Sequence, residues 1–202
     1  MDAFTFVLML IMDFIRIDIF IVFGLYTLVF LISSIILKEK DRLYKLDDIS
    51  SRFISFSGLV YLSCLLMLII FILFKGGEER LNLFNRMFGP YWFAFFLPPL
   101  TYFLITQLIR FKWVRKSRVI RLLFVPFLLI TFEQFVILIT SLHRDYMPSS
   151  WSMVTNIDLS IFEIIIGFLI KILFYSVYIG LFYLITERLK KFSFTKPNKE
   201  IN

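Results

Sequence analysis

A carboxyl group, an imidazole, a guanidinium and a second carboxyl group stand close together in TFEQFVILITSLHRDYMPSSW, the stretch from Thr131 to Trp151. Glu133 falls well inside the apolar run Val119–Leu142. A carboxyl group there is costly unless it is protonated, paired or beside a water-filled cavity, and such a residue is by default a functional candidate. His143, Arg144 and Asp145 follow at the end of that run. An imidazole that accepts a proton, a guanidinium that holds a carbonyl or carboxylate oxygen and an acid that orients them are what quinol oxidation or proton transfer needs at a membrane boundary. The same residues also suit an interfacial cap. Arg and His favour a helix carboxy terminus, Asp and Pro end the helix, and Trp151 anchors in the headgroup layer.

Other charges are spread more thinly. Asp13, Arg16 and Asp18 interrupt the first apolar stretch and are expected at the outer interface. Glu163 and Lys171 lie in the last apolar run, two helical turns or about 12 Å apart, on one side but too far to pair directly. Lys171 is expected either to meet Glu133 across a bundle or to snorkel to the interface. In RLNLFNRMFGPYWFAFF, from Arg80 to Phe96, Gly89-Pro90 makes a tight turn, and Tyr91 and Trp92 read as interfacial aromatics.

Several chemistries are excluded by count. The single cysteine, Cys64, sits in an apolar run, so there is no disulfide framework, no CxxCH haem attachment, no thiolate cluster and no metal site to assign. His143 is the single histidine, one axial ligand short of the pair that a transmembrane b-type haem commonly uses. The net charge of +7 does not imply nucleic acid, because the basic residues fall in short segments between apolar runs, as in loops that face anionic lipid.

The elements that must position these groups follow from composition. The 202 residues are 59% hydrophobic with 27 Phe and only 18% charge, against roughly 45–50% apolar and about 25% charged in soluble domains. Because lipid leaves no backbone polar group unsatisfied, the expectation is an all-α integral membrane protein with about five transmembrane helices in a single bundle. Spans are predicted at about 17–37, 53–74, 91–109, 119–142 and 159–185, with Met1 to about Arg16 as an interfacial or tilted lead-in. The bundle takes residues 1–187, and 188–202 form a basic tail. Pro98-Pro99 is expected to kink the third span. Lys38–Arg52, Arg110–Arg121 and the tail are rich in Lys and Arg, whereas Lys75–Pro90 and His143–Asp158 are not. The positive-inside rule then puts the amino terminus outside and the carboxy terminus inside.

FNRMFGPYW and SLHRDYMPSSW, with LIRFKWVRKS between them, closely resemble the membrane subunit of alternative complex III, within the NrfD or polysulfide-reductase superfamily. The resemblance runs from about Leu83 to Asp158. It implies a subunit that binds menaquinol or another quinol near the outer face, holds no covalently bound cofactor, and passes electrons to iron–sulfur and haem c partner subunits. It also implies roles for Glu133, His143, Arg144 and Asp145 at that site, with Arg86 and Tyr91 lining its outer edge. Relatives of this kind are about twice as long, with two four-helix bundles, and the matched block belongs to the second. The family usually carries a His in the helix before the FNRxFGPY block, where SRFISFSGLVY has none, and TFEQF stands where it tends to read WFERF.

The resulting expectation is a membrane subunit of a quinol-oxidising respiratory complex in a bacterial inner membrane, a component rather than an enzyme by itself. The alternative is a structural anchor or assembly subunit with a degenerate quinol site. A transporter is disfavoured by the lack of an inverted repeat.

Overall fold

The computed structural model describes residues 2–36, 40–90, 92–129 and 161–194. Among the described residues every regular element is helical and there is no strand. The chain opens with α1 (Ala3–Phe14), a π-helical segment (Ile15–Phe20) and α2 (Ile21–Ile36), which form one unbroken rod. Then come α3 (Lys40–Lys75), α4 (Gly77–Phe88), α5 (Trp92–Leu108), the short α6 (Lys112–Lys116), α7 (Arg118–Leu129) and α8 (Ile161–Phe194).

Three of these helices are long and apolar enough to cross a membrane: Ala3–Ile36, Asp41–Lys75 and Ile165–Leu189, with Phe95–Leu108 as a shorter apolar helix. At 1.5 Å per residue the 36 residues of α3 reach about 54 Å, well beyond a hydrocarbon core of roughly 30 Å. Their outer faces carry exposed Ile32, Ile35, Leu66, Ile70, Leu173 and Leu184, a surface that suits lipid rather than water.

Three local readings change. The described part of the predicted lead-in, from Ala3 to Arg16, is not set off from the first span, because the backbone continues through the π segment without a break. Lys38–Arg52, read as a loop from its charges, is helical from Lys40 onward. Lys and Arg are good helix formers, and the Asp48–Arg52 pair at 2.7 Å is a favourable i,i+4 contact along the helix. Lys75–Pro90, likewise read as a loop, contains α4. The break before α4 is made by Gly76 and Gly77 at φ 75° and 71°, in the left-handed region that glycine enters without a Cβ clash.

The core joins Phe20 and Phe23 of the first rod, Ile54 and Tyr61 of α3, Tyr102 and Ile105 of α5, Leu128 of α7 and Tyr175 of α8. Phe20 lies against Tyr61 and Tyr102 with ring centroids 5.4 and 5.3 Å apart. Between α3 and α5 the contact is closer: Ser55 Oγ donates to Gln107 Oε1 at 3.1 Å, and Gln107 Nε2 donates back to the Ser55 carbonyl at 3.0 Å. Gly58 sits one turn along, against Thr106. Pro98 and Pro99 lie inside α5, where the Thr101 hydroxyl donates to the Leu97 carbonyl at 2.7 Å.

The bundle has two chemically different ends. At one, Arg115 and Arg121 meet the first turns of α3, and the last turns of α8 lie alongside, so the described parts of all three basic segments gather there. At the other lie Asp2, Lys75 and α4.

Candidate functional site

At the Lys75 end, α4 presents Glu79, Asn82, Leu83 and Arg86 at i, i+3, i+4 and i+7, one helical face. That face borders an apolar slot of about 310 Å³. Met9 of α1, Leu65, Leu68, Ile69 and Ile72 of α3 and Phe95 of α5 form its apolar walls. Its polar groups are Thr5, Glu79, Asn82 and Arg86. The volume falls in the range of small-ligand sites, which are mostly apolar with a few polar groups that fix orientation. Arg86 is exposed and makes no hydrogen bond or ion pair among the described residues, so its guanidinium can serve an oxygen-bearing ligand.

One rim is held by a three-way ion contact. Lys75 Nζ lies 2.8 Å from Asp2 Oδ2 and 2.9 Å from Glu79 Oε2, tying the start of α1 to the end of α3 and to α4. The hydrogen bond from Lys75, followed by its charge, holds the Asp2 carboxyl below its ordinary range. A depressed carboxyl pKa means that the contact is fully present above the ordinary value of 3.8 and is lost as pH falls through the lowered one. An NMR titration of the Asp2 side chain should therefore give a midpoint below 3.8, and Lys75→Gln should return it to that value. An unchanged midpoint in the variant would show that the contact does not persist in solution.

Of the residues singled out in the sequence, Arg86 lines this slot, whereas Tyr91, Glu133, His143, Arg144 and Asp145 lie outside the described residues. Thr5, Met9, Asn82 and the α3 wall were not anticipated. The spacing of Glu79, Asn82, Leu83 and Arg86 was the available signal, and it was obscured by treating the segment as a loop.

Two further polar clusters occupy the helices. Around the π segment, Arg16 Nη2 pairs with Asp13 Oδ1 at 3.0 Å and Lys171 Nζ with Asp18 Oδ1 at 3.6 Å. Lys171 therefore reaches Asp18 of the first rod, a partner the sequence reading did not assign to it, whereas the expected contact with Glu133 lies outside the described residues. Near the other end, Arg121 of α7 and Asp47 of α3 are 1% and 2% exposed, with Nη2 donating to Oδ1 at 2.7 Å. The guanidinium lies over the Phe30 ring, 4.2 Å from its centroid. Beside them Ser50 and the fully buried Tyr175 share a hydrogen bond of 3.0 Å. Arg121, counted among the loop cations in the sequence, is thus a core residue.

Comparison of the chain with protein-family models, with curated proteins and with solved structures finds no match in any of the three.

Proposed function

We propose that this chain is an integral membrane subunit of a quinol-oxidising respiratory complex similar to alternative complex III, with five spans and its amino terminus outside, in a bacterial inner membrane. The observation that carries this reading is the apolar slot bordered by Arg86, Asn82 and Glu79, directly before the FGPYW turn. A flat apolar ring with oxygens at its edge fits apolar walls and a guanidinium at the rim. The gathering of basic segments at the opposite end supports an outward-facing slot. In this reading Arg86 and Tyr91 border the menaquinol or related quinol, His143 accepts a proton, Arg144 holds a carbonyl oxygen or Asp145, and Glu133 relays charge. The two electrons pass to iron–sulfur and haem c partner subunits.

Menadione, a tailless naphthoquinone, should bind the purified chain saturably in detergent micelles when measured by equilibrium dialysis. A hydrogen bond from a charged donor contributes about 1.5–3 kcal/mol, so Arg86→Gln should weaken binding by at least roughly tenfold. Ile69→Trp, which fills the slot, should abolish saturation. Linear partitioning that is identical in all three proteins would refute the assignment and favour a structural anchor.

A further inference from the structure

We infer that α4 is a membrane-surface helix: it lies in the plane of the bilayer boundary at the Lys75 end, with Leu81, Phe84 and Phe88 set among the acyl chains. Its level follows from its neighbours. α3 and α5 run antiparallel, with Ser55 facing Gln107, Gly58 facing Thr106, and the Tyr61 and Tyr102 rings 6.2 Å apart. The same register brings Trp92, the first residue of α5, level with Phe71 of α3, and Phe95 and Leu68 keep to it as walls of one slot. Gly89, at the end of α4, accepts a hydrogen bond from the Trp92 backbone N–H at 3.1 Å, which holds that end close to the same level. The other end follows Lys75, one turn beyond Phe71. The 12 residues of α4 are about 18 Å long, so a helix with both ends near one level runs across the bundle axis rather than along it.

Glu79, Asn82, Leu83 and Arg86 face the slot, and Leu81, Phe84 and Phe88, at i, i+3 and i+7, form the opposite face. These three are 62, 41 and 73% exposed, and the Phe84 and Phe88 rings stack with centroids 5.8 Å apart. Exposed aromatic rings of three other helices stand at the same level: Phe4 of α1, which packs on Phe71 at 4.9 Å, Phe74 of α3 and Trp92 of α5. Together they make an aromatic girdle, the composition that a membrane boundary favours. Further along α3 the same outward face continues through Ile70 and Met67, so the stripe on α4 joins a surface that already suits lipid. The charges of α4, Glu78, Glu79, Arg80 and Arg86, cancel, and apolar burial rather than attraction to anionic lipid carries the contact. Glu78 and Asn85, seven residues apart, form an exposed polar flank that faces the water.

The test uses the full chain in phosphatidylcholine vesicles. Cys64 is the single cysteine, so a Cys64→Ala background accepts one nitroxide label at a time, at Leu81→Cys, Phe84→Cys, Phe88→Cys, Glu78→Cys or Asn85→Cys. Paramagnetic resonance power saturation then compares collisions with oxygen, which concentrates in the acyl region, and with a water-soluble nickel chelate. Oxygen should dominate at 81, 84 and 88 and the chelate at 78 and 85, a reversal that follows the helical period. Dominance of the chelate at all five positions would put the stripe in water and overturn the assignment. Low collision rates with both reagents at 81, 84 and 88 would overturn it as well, since the stripe would then be covered by protein, whether a second copy or another subunit. Three labelled positions read one face, and an SDS unfolding midpoint equal to that of Cys64→Ala shows that each labelled chain is folded.

Discussion

Asp47→Ala should destabilise the bundle by about 3–5 kcal/mol, because it strands the Arg121 guanidinium without its counter-charge at a site only 1% exposed. Arg121 Nε and Nη1 already lack hydrogen-bond partners among the described residues, so the buried cation has little left once Oδ1 is gone. The Phe30 ring stays over the guanidinium in the variant, a contact of about 2 kcal/mol for a desolvated pair that is already present before the substitution. The companion substitution Arg121→Met should be costly in the wild-type background, since it leaves a buried carboxylate. In the Asp47→Ala background it should recover much of the stability, because a buried ion pair replaced on both sides by apolar groups is often neutral or better. Unfolding of the four proteins by SDS titration in mixed micelles, followed by helicity, measures the coupling. Additive single effects would show that the two groups do not depend on each other.

Gly58→Val should rank next in severity. A Cβ at this position would stand 2.1 Å from Thr106 Oγ1 and 2.8 Å from Thr106 Cβ, and Thr106 is fully buried with its hydroxyl bonded to the Phe103 carbonyl. Alanine alone requires α3 and α5 to separate, at about 1–3 kcal/mol, and valine requires more. Separation also stretches the paired Ser55–Gln107 hydrogen bonds one turn away. Thr106→Ala removes the Oγ1 clash but keeps the Cβ at 2.8 Å, so it should recover part of the stability lost in Gly58→Ala, and the same unfolding assay detects the partial rescue. Because α3 and α5 both contribute walls to the slot, Gly58→Val should weaken menadione binding without touching a slot residue. Wild-type stability in Gly58→Val would exclude the close crossing.

The helical class and most of the apolar runs are legible from hydrophobicity, since in lipid only self-satisfied helices serve. What faces what is harder to read, and α3 shows why. Its buried residues include Asp47, Ser50, Ile54, Ser57, Tyr61 and Cys64, a helical stripe largely of small or polar side chains, while Phe56, Leu66 and Ile70 face outward. A soluble-protein reading of amphipathicity would turn this helix the wrong way round. Asp47 and Arg121 were hidden by their surroundings. Each sits in a run of charges that suggests a solvated loop, and the partner of each lies on another helix. In the slot, Arg86 was singled out in the sequence only as part of the block FNRMFGPYW. Leu65 and Ile69 could not be separated in the sequence from their lipid-facing neighbours, because slot and bilayer select the same side chains.

The π segment acts as a phase shifter in the first rod. Hydrogen bonding at i→i+5 accommodates an inserted residue in an otherwise α-helical rod, and one residue corresponds to a rotation of about 100°. A regular helix through Ile15–Phe20 would turn the whole upstream half by that angle relative to Ile21–Ile36. Asp2 would then swing away from Lys75, and Thr5 and Met9 would leave the slot, while Phe23 kept its place in the core. Six residues with irregular winding thus set the azimuth of one end of the molecule against the other, and the rim at Lys75 depends on an offset introduced some three turns away.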